Sequence, residues 1–236
     1  MNVAKPFQAI LQEREKIWRV AHRGFHPENK LAGFQQAIAN GCDMIECDLR
    51  LTADNHPVVI HDKTINRTTN GCGFVSKMKL HEMHFYGVPS LEDLIIWLQQ
   101  YPNIYCAFEI KDVGLKNIVL LNKTLALIQK YKFDSKSIII SFNQKVVFTS
   151  KVLCPHICTG IIINNKFSRN PCDIANKLNA DVLWINYMLL QKVLPCNKNE
   201  IPIFLWTVNH RKHINGLDKN VIGIVSDDLN KLFGAQ

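Results

Sequence analysis

The 236-residue sequence has no apolar run long enough to cross a bilayer, so stable membrane insertion is not expected. No amphipathic membrane-binding helix stands out either. Like charges do not gather in blocks. Lysines and arginines number 28 against 20 aspartates and glutamates, a net +8, but they are scattered among asparagines along the whole chain. A nucleic-acid surface is therefore not expected, although the sign suits a small anionic ligand. There is no Gly-x-Gly-x-x-Gly turn after the first expected strand, which counts against a dinucleotide fold, and there are no internal repeats. Met1 to Trp18 carries one lysine before the short apolar patch from Phe7 to Leu11, which Glu13, Arg14, Glu15 and Lys16 then interrupt. That does not read as a secretory signal; it reads as a short helix leading into the fold. The eight cysteines are accordingly expected as free thiols in a reducing cytosol. Cys154 to Cys158 offers three zinc-type ligands with no fourth at finger spacing, and His81-Glu82-Met83-His84 lacks the i, i+4 spacing of a zincin helix.

Continuous apolar runs alternate with helix-period segments. Strands are expected at Ile17–His22, Met44–Leu51, Ile104–Lys111, Ser137–Phe142, Thr159–Ile163, Asp181–Tyr187, Ile201–Val208 and Val221–Ser226. A short extended segment returns at Val58–His61. Helices are expected after Asn29, read as an N-cap, and after Ser90, with others near Asn117–Tyr131, Lys145–Leu153, Asp173–Leu178 and Met188–Leu194. Lys212–Leu217 leads into the last strand. Runs such as Ile138-Ile139-Ile140 suit strands of a parallel sheet buried on both faces. Eight βα units in this length point to an α/β fold, a TIM (β/α)8 barrel spanning 1–236 as one domain. A small insertion follows the second strand at about 52–88. A doubly wound open sheet is the alternative.

Charged side chains sit at the ends of several of these strands. Side chains alternate along a strand, so Glu46 and Asp48 share a face with Cys47 opposite, and Glu109 and Lys111 share a face with Ile110 opposite. If both faces look into the barrel mouth, three carboxylates and a lysine meet near His22. Either a hard divalent cation, Mg²⁺ or Ca²⁺, resolves the repulsion, or a salt-bridge network with Arg23 and Lys111 does. His22 and His61 each end an apolar strand beside acidic residues. Imidazoles titrate near neutrality, so such a pair can take one proton and give another. Arg23 and Lys111 suit an anionic group such as phosphate.

These residues, taken with His22-Arg23-Gly24, Pro27-Glu28-Asn29, Ile45-Glu46-Cys47-Asp48, Val58-Val59-Ile60-His61-Asp62, Arg67-Thr68-Thr69-Asn70-Gly71-Cys72-Gly73, Pro89-Ser90-Leu91-Glu92, Phe108-Glu109-Ile110-Lys111, Trp206-Thr207-Val208-Asn209 and Gly223-Ile224-Val225-Ser226-Asp227, closely resemble the glycerophosphodiester phosphodiesterases in order and spacing from about residue 18 to 230. The resemblance implies a TIM barrel and a metal-dependent enzyme of glycerophospholipid breakdown. Such an enzyme cleaves small-molecule glycerophosphodiesters to an alcohol and sn-glycerol 3-phosphate. It implies His22 and His61 as the catalytic pair and Glu46, Asp48 and Glu109 as ligands of the divalent cation. It implies Arg23 and Lys111 as phosphate contacts and Trp206 as an aromatic near the glycerol pocket, a position that barrel packing alone would also fill. Asn29 is either a substrate contact or a helix cap. His22 is expected as the acid and His61 as the base. Two positions depart from the family pattern: Lys30 replaces the usual threonine, and Ala53-Asp54-Asn55-His56 replaces the usual Lys-Asp-Gly turn. Rival readings are a barrel phosphodiesterase acting on phosphoinositides or intact phospholipids, and a non-catalytic binding protein. The second is expected to lack one of His22, His61, Glu46, Asp48 or Glu109. Nothing in the sequence sets an oligomeric state.

Overall fold

A computed structural model of the chain describes residues 7–13, 16–111, 114–165 and 170–234. Nine strands form one sheet: β1 (Trp18–His22), β2 (Met44–Leu51), β3 (Pro57–Val59), β4 (Tyr105–Ile110), β5 (Ser137–Ser141), β6 (Cys158–Ile163), β7 (Val182–Asn186), β8 (Ile203–Trp206) and β9 (Val221–Ser226). All but β3 pair in parallel with their neighbours, and β1 pairs with both β2 and β9, which closes an eight-stranded barrel. Helices between the strands cover its outside, as expected of a TIM barrel. β3 is the short extended segment foreseen after the second strand; it runs antiparallel along the end of β2. The segment that follows it carries its own apolar cluster, with Val58, Ile60, Ile65, Val75 and Met83 buried. Within it the structure adds a helix at Leu80–Phe85, so His81 and His84 stand on one short surface helix.

Alternation along the strands sorts side chains between two cores. Ile45, Cys47, Leu49, Cys106, Phe108 and Ile110 face outward, under the helices. Trp18, Val20, Met44, Ala107, Ile138, Ile140, Ile162, Trp184, Phe204 and Val225 face inward. The helix Phe7–Glu13, the expected lead-in, closes the lower end: the Phe7 ring stacks on Tyr105 at 4.6 Å and meets the edge of Trp18 at 5.5 Å. Higher up, Trp184 stacks on Phe204 at 4.5 Å.

Several boundaries differ for local reasons. The strand expected over Ile201–Val208 is confined to Ile203–Trp206, because the Asn197 side chain takes up the backbone of Ile201 from both sides. The helix expected over Met188–Leu194 breaks into a 3-10 turn, the four-residue helix Leu190–Val193 and a second 3-10 turn that begins beside Pro195, which has no backbone N–H to offer. Asn29 is not the cap of the first barrel helix. Its backbone is left-handed (φ 54°) and the capping position falls on Lys30, whose side chain caps nothing. Instead Lys30 Nζ donates to the Gly87 carbonyl at 2.5 Å, tying the first loop to the segment after β3.

Gly223 fits the inner row only because it lacks a side chain: a Cβ there would stand 2.2 Å from the Phe204 ring. That ring is buried against Trp184 and has nowhere to retreat. Gly223→Ala is therefore expected to lower the unfolding free energy by about 1–3 kcal/mol in a denaturant titration; an unchanged midpoint would mean the barrel interior yields more readily than its packing implies.

Candidate active site

The same inward row that packs the lower barrel turns polar at the C-terminal ends of the strands. Register brings the polar members together. His22 on β1 is the Cα partner of Glu46 on β2, and Asp48 is the partner of Glu109 on β4. One oxygen each of Glu46, Asp48 and Glu109 lies within 4.8 Å of the others. All three carboxylates are buried. They form the floor of a cavity of about 110 Å³ lined by His22, Arg23, Glu46, His61, Glu109, Lys111, Phe142, Ile162, Trp184 and Trp206. The eight residues expected at the site are thus brought to one place: seven line the cavity, and Asp48 lies just beneath, 1% exposed.

Part of the carboxylate charge is answered from within the chain. Lys111 Nζ lies 2.7 Å from Glu109 and 3.1 Å from Asp48 Oδ1, and Arg23 Nε lies 3.3 Å from Asp48 Oδ2. Asn29 donates its amide to Asp48 Oδ2 at 2.8 Å, which is the work its left-handed backbone allows. Arg23 is also left-handed (φ 56°), and this turns its backbone N–H onto Glu46 Oε2 at 3.0 Å. The following Gly24 (φ 72°) completes the reversal where a Cβ would meet Phe34 at 2.5 Å.

The balance is incomplete. Burial, reinforced by the Asp48 charge, pushes the Glu46 carboxyl up to about 8. Glu109 is also raised, chiefly by burial. Burial opposes ionisation of Asp48 as well, but Lys111 and Arg23 outweigh it and its pKa is lowered. Among the described residues, buried Asp48 Oδ1 accepts no hydrogen bond and meets the Lys111 charge at 3.1 Å. Three clustered carboxylates, two of them with raised pKa values, are what a divalent cation with oxygen ligands would complete. The donor set fits Mg²⁺ or Ca²⁺ better than zinc, having neither thiolate nor imidazole in it.

Each histidine is held by a carboxylate. His22 Nδ1 lies 2.6 Å from Asp227 Oδ1, just past the end of β9. Asn209 donates to the other Asp227 oxygen at 2.7 Å. His61 Nδ1 lies 2.7 Å from Asp62 Oδ1. Arg67 donates to Asp62 Oδ2 at 2.7 Å and forks onto both oxygens of Glu28 at 2.6 and 2.8 Å. Because an ionised carboxylate only accepts, each Nδ1 carries the proton and each Nε2 is left for the cavity. The two imidazoles differ. Burial disfavours a charged His22, but the Asp227 hydrogen bond and the Glu46 charge outweigh it and its pKa is raised. Burial, helped by Lys111 and Arg23, lowers that of His61 despite Asp48 and Asp62. Arg67 above all, and then His61, hold Asp62 well below the usual carboxylate range.

Trp206 both packs in the barrel and reaches the cavity. Its indole N–H donates to the Trp184 carbonyl at 3.0 Å, a packing role, while its ring lines the cavity edge-on to Phe142 at 5.8 Å. Sequence reasoning assigned no role to Asp227, Asp62, Arg67, Asn209 or Phe142. Asp62 had a signal in its place beside His61, and Asp227 in its place one residue past a strand end. Arg67 had only its place in a family-like segment, because that segment has no periodicity to show where its side chain reaches.

A family model described as the glycerophosphoryl diester phosphodiesterase family matches residues 21–231. A glycerophosphodiester phosphodiesterase of Caldanaerobacter subterraneus subsp. tengcongensis is 33% identical over 232 residues, covering 89% of this chain and 93% of that protein. The Bacillus subtilis protein YhdW is 34% identical over 236 residues, covering 89% and 94%. Among solved structures, a Silicibacter pomeroyi protein has the same fold, with a TM-score of 0.83 at 19% identity over 94% of both chains. So has an Oleispira antarctica phosphodiesterase solved with the product sn-glycerol-3-phosphate, with a TM-score of 0.80 at 24% identity over 89% of this chain and 92% of that one.

Burial and the Asp48 charge raise the Glu46 carboxyl to about 8 without a cation, which favours its protonated form towards neutral pH. Titrating in Mg²⁺ or Ca²⁺ at that pH should expel roughly one proton, read by calorimetry in buffers of different ionisation enthalpy. Glu46→Gln should lower the release, leaving what Glu109 contributes. Cation binding without proton release would place the cation elsewhere.

Proposed function

The chain belongs to the glycerophosphoryl diester phosphodiesterase family, and we propose that it hydrolyses glycerophosphodiesters by acid–base catalysis between His22 and His61 above a divalent cation held by Glu46, Asp48 and Glu109. The observation that carries this reading is the pairing of two carboxylate-anchored imidazoles with a three-carboxylate floor in one cavity. The Oleispira relative, solved with sn-glycerol-3-phosphate, supports the assignment of the product.

The phosphodiester enters with its charge facing Arg23 and Lys111, which already stand at the cavity wall. A divalent cation held by Glu46, Asp48 and Glu109 would supply Lewis-acid polarisation and neutralise charge on the phosphodiester. Phe142, Ile162, Trp184 and Trp206 form the apolar wall against which the glycerol carbons lie. His61, whose pKa is lowered, is the neutral partner. It takes the proton of the nucleophile, either the neighbouring glycerol hydroxyl or water. His22, whose pKa is raised, is the protonated partner. It gives its proton to the leaving alcohol oxygen as the P–O bond breaks. Attack by the glycerol hydroxyl gives a cyclic phosphate, which water then opens with the roles reversed. Glu28, Arg67 and Asp62 act behind His61, fixing the direction of its Nε2.

Incubation with a panel of glycerophosphodiesters should release sn-glycerol 3-phosphate with Mg²⁺ or Ca²⁺ and not with a chelator. His22→Ala and His61→Ala should each lose about 100-fold or more of turnover while staying folded. Near-parental turnover in either variant would sink the assignment of the pair. Arg67→Ala should cost roughly 10- to 100-fold in kcat with KM little changed, and Arg67→Lys should recover part of it. The same change leaves Asp62 unshared and so pulls the His61 pKa up. The acid limb of kcat/KM, which requires neutral His61, should then move to higher pH, whereas an unmoved limb would reduce Arg67 to a surface ion pair.

A further inference from the structure

Exposed apolar side chains gather with exposed lysines beside the cavity mouth. Phe74 is 51% exposed and pairs through its backbone with Thr64, three residues beyond His61. Leu115 is 81% exposed and opens the helix Leu115–Lys130, which leaves the upper end of β4. Between these segments lies a second cavity, of about 420 Å³, lined by Phe74, Lys63, Lys116 and Arg50 among others. Lys77 stands over the Phe74 ring at 5.6 Å. Lys63, Lys77 and Lys116 are exposed, and none is ion-paired among the described residues. Arg50 ties the patch to the site by donating to the His61 carbonyl at 2.7 Å.

We propose that this patch is a docking surface for an anionic phospholipid bilayer and that it sets the barrel mouth against the membrane. A soluble anion would be served by the ammonium groups alone and would leave Phe74 and Leu115 in water. A bilayer interface serves both parts: the two apolar side chains enter the headgroup–acyl boundary while the lysine stems run alongside and carry their charges to the phosphate plane. The excess positive charge of the chain has the matching sign. A further exposed aromatic, Phe142 at 37%, is a wall of the catalytic cavity, and Arg50 with His61 joins that cavity to the patch. Docking stands independently of the chemistry proposed above.

The test is sedimentation of the full chain with vesicles of phosphatidylcholine alone and of phosphatidylcholine with a minority of phosphatidylglycerol. Binding is expected to the anionic vesicles, weakening as salt rises. Lys63→Gln with Lys116→Gln should lower the partition coefficient roughly tenfold, and Phe74→Ser with Leu115→Ser should remove the residual binding at high salt. Turnover of soluble sn-glycero-3-phosphocholine by both double variants should stay at the parental rate, which also reports that they fold. Equal binding to the two kinds of vesicle, or parental binding by either double variant, would overturn the proposal. So would binding of inorganic phosphate, lost in Lys63→Gln with Lys116→Gln, by a chain that binds neither kind of vesicle, which would mark the patch as a site for soluble anions. A chain that binds anionic vesicles yet hydrolyses no glycerophosphodiester would keep the docking surface and overturn the proposed function instead.

Discussion

The structure turns on the cost of three buried carboxylates. With ligand oxygens of Glu46, Asp48 and Glu109 inside 4.8 Å of one another, each ionised pair repels by on the order of 3 kcal/mol at an effective dielectric of about 20, before desolvation is counted. Much of the upper barrel answers that cost. Arg23 and Asn29 take left-handed backbones to present an N–H to Glu46 and an amide to Asp48. Lys111 bridges Asp48 and Glu109. The salt-bridge network is thus present, and it leaves together three carboxylates that could hold a cation as well. The cationic side chains steady Asp48, yet Glu46 still stands near 8. The remaining deficit of positive charge is the physical basis for a cation there.

Such a site can be built because a barrel strand has only two faces. Trp18, Val20 and His22 are one row, as are Met44, Glu46 and Asp48, and Ala107 and Glu109. The lower members of each row are sealed by Phe7 and the stacked aromatics, so the upper members meet water at the mouth alone. The apolar interior thus fixes the polar layer: moving β2 by one residue against β4 would send Glu46 and Asp48 under the helices and bring Cys47 inside.

This logic was legible where chemistry follows chain order. The apolar runs gave the strands, and two-residue alternation set Glu46 with Asp48 and Cys47 apart, as the burial of Cys47 beside Cys106 bears out. It failed where a contact joins distant residues or a backbone leaves the regular regions. Asp227 reaches His22 across 205 positions, and no local pattern announces that. Asn29 has the composition of a helix cap, and only its φ of 54° shows that its amide is turned to Asp48 instead. Arg67 lies among turn residues in a segment without periodicity, so its fork onto Glu28 and Asp62 appears only in three dimensions. The short 3-10 pieces near Pro195 and His213 were lost to the same limit, being set by side-chain contacts rather than by period.

The two histidines show how a nearly symmetric pair becomes asymmetric. Both imidazoles have a carboxylate on Nδ1 at almost the same distance, 2.6 Å for His22 and 2.7 Å for His61. What differs is the far side of each carboxylate. Asp227 is met there by the neutral amide of Asn209, so its full charge acts on His22, with Glu46 adding more. Asp62 is met by the guanidinium of Arg67, which draws its charge away, and His61 also faces the positive fields of Lys111 and Arg23. Burial is adverse to both cations and is overcome at only one of them. A raised pKa at one imidazole and a lowered one at the other thus follow from the charges around each, Asp227 and Glu46 at His22 against Lys111 and Arg23 at His61.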